Sequence, residues 1–531
     1  MIGGGIYGAC ALWEAVLRGY SAALVEQNDF ASATSAHSLK IIHGGLRYLQ
    51  SADFKRMRIS TNERSTLMYI APHLVHPLPV IVPTYGHGLR GKELLGLALR
   101  INDTINYDRN RMIDVHKHIP DGRTLSKSEC LDLLPELPAH GLTGAALFYD
   151  AQVYNSERLV LAFIESAAQI GADIANYAKV IGFLCEGDRV IGARVRDRLS
   201  GNEFEIRSRM IINCTSPWSG ALQTLLPGLG ERKPPPLAKA INVIARPLFE
   251  DYAVGLNGDG RLYFVAPWRG HALIGTDYSL YRGHPDDLCV KPEEVRSLLE
   301  SINRAYPPAR LSLEDVTLVH RGLLPISEPE AEAGALQLRK HPRIIDHRRD
   351  GVYGIVSVEG VKYTTARHVA VQALDRVAMI WGQPPPKSIS DKVPLRGAIQ
   401  NFSEFFERAV AVNRWGLSTE TLKPLLYNYG SDYVKVLDYL SEDVRGLPAH
   451  KELRAVLIAQ IHYAVYKEAA LKLSDVVLRR TELGSAQRPN DDVLALCARE
   501  MGRLLGWRDH RIDREIDEVN SFFMLSSLAS V

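Results

Sequence analysis

Gly3-Gly4-Gly5-Ile6-Tyr7-Gly8 opens the chain as a GxGxxG run leading into an apolar helix, and Glu26 closes the next apolar segment, Ala22-Ala23-Leu24-Val25. Turn, helix, strand and terminal acid in that order are the fingerprint of a Rossmann-type dinucleotide site. Gly3 permits the tight strand-to-helix turn, Gly5 lets the backbone approach a pyrophosphate, and Gly8 lets the helix lie close to the sheet. The helix N-terminus aims amides at the phosphates. Glu26 would accept hydrogen bonds from a ribose. A glycine turn with no ligand would carry the same hexapeptide, so the discriminating signal is the helix, strand and acid that come after it. A buried parallel strand is expected to lead into Gly3, yet only Met1 and Ile2 precede it. The expectation is a start several residues upstream, or a chain that has lost half of its first strand.

A chain of 531 residues implies two or three domains, with room to bury a large cofactor. Its net charge of +2 supplies no global field, so no nucleic-acid partner is expected. The six cysteines, Cys10, Cys130, Cys185, Cys214, Cys289 and Cys497, lack CxxC or Cys/His spacing. That argues against zinc, iron–sulfur clusters and a disulfide framework, so no metal is expected and a reducing, cytoplasmic setting fits. No stretch approaches the roughly 20 apolar residues that span a bilayer, and no basic region precedes an apolar one at the N-terminus. Gly91 to Arg100 (GKELLGLALR) is amphipathic and mildly basic. It suits a membrane surface, though packing on the protein's own core is the preferred reading.

Periodicity and punctuation give the organisation. A Ser/Thr/His-rich loop ends in a helical Gly44 to Leu49, and Ser51 to Leu74 reads as one helix before Pro72, Pro77, Pro79 and Pro83 break the chain into extended pieces. Asn155 to Ala175 reads as a long amphipathic helix. Strands are expected at Lys179 to Leu184, Val190 to Arg196 and Arg209 to Cys214, then a hairpin from Arg261 to Asp277 turning at Trp268-Arg269-Gly270. Pro234-Pro235-Pro236 marks entry into this β-rich part. Val352 to Val358 leads through Glu359-Gly360-Val361-Lys362 into a helix from about Thr364, and after Pro384-Pro385-Pro386 the chain turns helical, with Val465 to Arg480 strongly periodic.

Three strings carry a resemblance. The opening glycine run, Asp29-Phe30-Ala31-Ser32-Ala33-Thr34-Ser35, and above all Lys40-Ile41-Ile42-His43-Gly44-Gly45-Leu46-Arg47-Tyr48-Leu49 resemble the FAD-dependent glycerol-3-phosphate dehydrogenases of the DAO type. Asn213 to Trp218, Ile274 to Asp277, Gly360 to Arg367 and Arg479 to Gly484 resemble further motifs of that family, so the likeness runs nearly end to end. It implies an α/β fold: a discontinuous Rossmann-like FAD-binding domain (1–75, 141–230 and 340–385), an antiparallel β-rich substrate domain (76–140 and 235–335) and a C-terminal α-helical domain (395–531). It further implies His43, Arg47, Tyr48 and Lys362 near the flavin ring and substrate, with Arg339 holding a substrate phosphate. FAD would be held by Gly3, Gly5, Gly8, Glu26, Thr34, Ser35, Ser38, Lys40, Val180, Thr215, Gly360 and Lys362. The reading from residues alone leaves duller roles open. His43 could be a core histidine, Arg47 a surface ion-pair residue, Tyr48 a buried phenol, Arg339 part of a solvated basic loop, and Ser35, Ser38 and Lys40 capping groups.

The implied activity is oxidation of glycerol 3-phosphate, a phosphorylated polyol, with electrons passed to a quinone or to oxygen. Peripheral docking at the inner face of the cytoplasmic membrane and a homodimer stay open, as does covalent flavin attachment at His37 or His43. The chain departs from the family pattern at sensitive places. Leu324 stands where the family carries an arginine in the substrate pocket, and Arg321, an odd number of residues away, is expected on the opposite face of a strand. A missing charge-assisted bond at a phosphate costs about 1.5–3 kcal/mol. Ser216 and Val361 replace family glycines. A related FAD enzyme acting on an amine or hydroxy acid is therefore one alternative, and a non-catalytic flavin-binding protein another.

Overall fold

Met1 and Ile2 stand where the first strand was expected. Ile2 bridges Val25 on one side and Asn213 on the other, both in parallel, with the Gly3 amide donating to the Val25 carbonyl at 2.9 Å and the Cys214 amide to the Ile2 carbonyl at 2.8 Å. The short segment thus knits a parallel layer: Asp173–Ala175, Ala23–Val25, Ile2, Ile211–Asn213 and Ile355–Glu359, finished by antiparallel Arg343–Asp346. The helices Ile6–Leu17, Ser156–Gln169 and Ala366–Ile380 share its core, where Leu12, Leu24, Phe163, Val356 and Ala370 are buried together. The computed structural model describes residues 1–87, 91–226, 236–327, 336, 338–441 and 443–524. Pro234, Pro235 and the expected domain limits at 230, 235, 335 and 531 lie outside these.

A three-stranded antiparallel meander, Ala178–Glu186, Arg189–Asp197 and Glu203–Arg207, adjoins the parallel layer in the chain. The third of these was not anticipated. The hairpin was: Arg261–Trp268 and His271–Tyr281 pair across a turn in which Arg269 and Gly270 have φ of +53° and +77°. They belong to a nine-stranded sheet in the order Val316–Pro325, Leu237–Ala245, His271–Tyr281, Arg261–Trp268, Ala253–Gly258, Val75–Tyr85, Leu142–Val153 and Ile41–Ile42, with Arg123–Ser126 against Leu142–Val153. The proline-rich pieces are one long strand. Pro77, Pro79 and Pro83 share one parity, so their missing donors line a single edge of the strand and spare the other for pairing.

Three helix expectations are corrected. The helix begun at Ser51 runs Phe54–Ile70, because the Asp53 carboxylate accepts from the Arg56 amide at 3.0 Å and sets the start. Asn155 to Ala175 is the helix Ser156–Gln169 and then a strand, divided at Gly171 with φ +104°. Val465 to Arg480 is not continuous. Ala449–Lys467 ends, Ala469 turns at φ +53°, and a new turn starts at Leu473, where Asp475 accepts the amides of Leu471 and Lys472 at 2.9 and 3.0 Å. Gly91 precedes and Lys92 to Arg100 lie in the helix Lys92–Ile105, whose Leu99 is buried while Leu94, Leu97 and Ile101 are exposed. Among the described residues no helix is long and apolar enough to cross a membrane.

Candidate active site

The glycines of the opening run shape one end of a cleft of about 580 Å³ between the parallel layer and the large sheet. That is the scale of small-molecule and cofactor sites. Gly3 has φ +105°, and a Cβ there would come within 3.0 Å of the Cys214 carbonyl carbon and oxygen. A Cβ on Gly8 would lie 1.8 Å from the Gly3 carbonyl oxygen, so Gly8 sits under the turn and outside the cleft wall. The helix Ile6–Leu17 begins here with no acid in its first turn, which favours an anion at its N-terminus. Ser35 Oγ accepts from the Ile6 amide at 3.0 Å, and Thr34 Oγ1 accepts from Leu323 at 3.1 Å, tying the loop to the sheet. Both Glu26 oxygens accept backbone amides, from Gly4 at 2.6 Å and Asn28 at 2.8 Å, while burial pushes the carboxyl pKa up.

Gly3, Gly5, Glu26, Thr34, Ser35, Ser38, Val180, Thr215, Gly360 and Lys362 all line this cleft. Lys40 stands apart. Its ammonium donates to Glu157 at 2.7 Å and to Ser156 Oγ and the Ala36 carbonyl at 2.9 Å, which commits all three protons behind the loop. His37 lines the cleft with Nδ1 2.8 Å from the Arg321 carbonyl.

Lys362, which lines the cleft, meets His43 and Tyr48 behind the wall; neither of these two rings, nor Arg47, is part of the cleft lining. Lys362 Nζ donates to the Tyr48 hydroxyl and lies 4.2 Å from the ring centre, while the Arg56 guanidinium covers the same ring, also at 4.2 Å. The His43 ring meets Tyr48 edge-on at 6.0 Å. Burial, with the charges of Lys362, Arg64 and Arg56, pulls His43 down to about 3, so its imidazole is neutral. Burial, then the charge of exposed Arg47, pulls Lys362 down to about 8. Arg339 is separate: its guanidinium pairs with Glu359, next to Gly360. Leu324 lines the cleft, whereas Arg321 on the same strand faces Phe522, as their odd spacing implied.

Two residues escaped the sequence reading. Tyr7, at a variable position of the glycine motif, accepts the amides of Val361 and Lys362 at 2.9 and 3.0 Å and donates to the Lys362 carbonyl at 2.7 Å. A Cβ on Gly360 would sit 1.9 Å from its ring. Arg56 lies on a helix whose composition carries no signal of the stack.

Residues 1–371 match the family model "FAD dependent oxidoreductase" and residues 388–512 match "C-terminal domain of alpha-glycerophosphate oxidase". The chain is 33% identical to a glycerol-3-phosphate dehydrogenase of Mycobacterium leprae, over 98% of this chain and 87% of that protein. It is 30% identical to one of Synechocystis, over 98% and 95%. The structure of the glycerol-3-phosphate dehydrogenase from Bacillus halodurans complexed with FAD superposes with a TM-score of 0.78 at 23% identity, covering 99% of this chain and 94% of that one, a likeness of fold. A glycine cradle that any Cβ would fill, beside a helix N-terminus and a buried acid, fits the pyrophosphate and ribose of FAD. The chain belongs to the DAO family of FAD-dependent oxidoreductases.

Proposed function

We propose that the chain oxidises glycerol 3-phosphate to dihydroxyacetone phosphate and passes the electrons to a quinone or to oxygen. The observation that carries this reading is that Lys362, on the cleft wall, groups with Tyr48 and His43 next to it, with Arg47 close enough to lower its pKa. Bound FAD supplies the acceptor for the carbinol hydride. Lys362 and Arg47 hold the anionic substrate, and the Tyr48 hydroxyl, bonded by Lys362 on a ring that Arg56 also covers, orients it. The neutral His43 imidazole offers a ring nitrogen that accepts a hydrogen bond from the substrate hydroxyl, and burial together with the charges of Lys362, Arg64 and Arg56 keeps it a weak base. The similarity to glycerol-3-phosphate dehydrogenases along nearly the whole chain supports this substrate.

Leu324 favours a second reading, in which an amine or hydroxy acid replaces the phosphate ester. Anaerobic mixing of the yellow protein with glycerol 3-phosphate, and separately with a panel of amino and hydroxy acids, decides between them. Bleaching of the flavin by the phosphate ester alone supports the first; bleaching by the panel alone ends it.

Peripheral membrane docking belongs to the same proposal. Leu94, Leu97 and Ile101 are spaced as one helix face and are exposed together.

A further inference from the structure

The loop that lines the cofactor cleft is anchored to the C-terminal helices through one buried carboxylate. Asp29 begins that loop, is 1% exposed and lies behind the cleft wall. Arg480 Nη1 and Nη2 donate to its two oxygens at 2.8 Å each, and the Arg479 guanidinium and Asn176 amide complete the set. Both arginines sit on one π-helical turn, Val476–Arg480. Each is braced from behind: Arg479 donates to Asp475 at 2.7 Å and Arg480 to the Glu468 carbonyl at 2.9 Å. Asp475 also accepts the Tyr177 hydroxyl at 2.6 Å, and the Tyr177 amide donates to the Asn28 carbonyl at 2.8 Å, so the network closes on the residue before Asp29.

A buried ion network adds little net stability, because desolvation offsets most of the Coulomb attraction; what it supplies is direction. Ala31 to Ser35, His37 and Ser38 of the loop line the cleft. We propose that the Val476–Arg480 turn positions the FAD-binding loop through Asp29, so that FAD binding and docking of the C-terminal turn are thermodynamically linked. Arg479 and Arg480 are positioning residues, and the inference holds whichever substrate the enzyme takes. Linkage is reciprocal: whatever the docked turn adds to FAD affinity, bound FAD adds to the docking of the turn.

Hydrogen exchange on the full chain, deflavinated and then reloaded with FAD, tests this without a mutation. Amides from 473 to 484 are expected to slow by about fivefold or more on loading, and slowing confined to the cleft residues overturns the proposal. In a second arm, Arg479→Met keeps the Arg480–Asp29 pair and is expected to release FAD about tenfold faster, read by flavin fluorescence, with Arg479→Lys restoring retention. Native FAD release from R479M, with equal loss of melting temperature in the apo and loaded forms, would reduce the network to a structural role and overturn the linkage. Should R479M fail to fold, the exchange data on the native chain decide.

Discussion

The Lys362 ammonium donates to the Tyr48 hydroxyl while lying 4.2 Å from the centre of the same ring. This contact joins the glycine corner after the Ile355–Glu359 strand to the short helical turn Leu46–Ser51, elements some three hundred residues apart in the chain. A cation held in that way is both desolvated and directed, and its titration is the handle by which the site can be tested.

Burial first, and Arg47 second, lower Lys362 to about 8 from a reference of 10.5. Below about 8 it is charged and can hold an anionic substrate, so kcat/KM for glycerol 3-phosphate falls as pH rises through that value. Lys362→Arg, which stays charged, removes this limb from the profile, and Lys362→Met lowers kcat/KM about 10- to 100-fold throughout, matching a lost charge-assisted bond. Stability moves the other way. The unfolded lysine binds more protons than the folded one between about 8 and 10.5, so that group's contribution to stability rises with pH across this window. A pH profile identical in wild type and K362R would remove Lys362 from the limb.

Gly360→Ala places a methyl 1.9 Å from the Tyr7 ring, and the ring cannot retreat without releasing the amides of Val361 and Lys362. The expected cost is about 3 kcal/mol, as for overpacking in a closed core, together with loss of bound flavin on gel filtration. A stable, yellow G360A protein would mean that Tyr7 does not brace this corner.

Ser216 has φ +47°, a left-handed backbone at the position where the resembling family carries glycine. Ser216→Gly is expected to stabilise the protein by about 1 kcal/mol, the strain of a side chain in that region. Thermal unfolding of the FAD-loaded protein reads it, and an unchanged or lowered midpoint contradicts the strain.

What the sequence made legible was local. Glycine geometry speaks for itself within a few residues, so the Gly3 turn, the close approach at Gly8 and the hairpin at Arg269-Gly270 could be read directly. The parallel strand at Ile355–Glu359 and the neighbouring glycine corner were readable for the same reason. Contacts between distant segments could not be read. Tyr7 bracing Lys362 and Arg56 stacking on Tyr48 depend on the closed fold, and periodicity ran straight through Ala469 because a single residue at positive φ does not disturb an apolar count. Lys40 looked like a cofactor donor in its serine-rich loop, yet its partner Glu157 is 117 residues away. The prolines of Val75–Tyr85 misled by number, since their shared parity is what a strand tolerates.

The exposed face of the Lys92–Ile105 helix gives a prediction independent of catalysis. Leu97 is 55% exposed and Leu94 43%, so the purified protein is expected to co-sediment with anionic phospholipid vesicles, and L94D/L97D to stay in the supernatant with its flavin spectrum unchanged. Equal sedimentation of both proteins would move any membrane contact elsewhere.

Leu324 is the position at which the proposed substrate can be tested. It shares the cleft wall with Gly322 on the Val316–Pro325 strand, and the nearby Arg321 cannot replace a lost cation because it faces Phe522 on the other side. The cations grouped around Tyr48 and His43 are Lys362, Arg47, Arg56 and Arg64, of which Arg47 is exposed and so screened by solvent and Arg64 is paired with Asp150. Leu324→Arg adds one charge on the cleft face. For a phosphate ester that binds there, the added charge-assisted bond is worth about 1.5–3 kcal/mol, so KM for glycerol 3-phosphate is expected to fall roughly 10- to 100-fold. Activity on an uncharged or cationic amine should fall in the same variant, since a fixed cation then faces the substrate. Should L324R leave KM for the phosphate ester unchanged while wild type already turns it over, the phosphate is held by cations of the Tyr48 cluster and not from the Leu324 position, and the leucine marks a different mode of holding the same substrate.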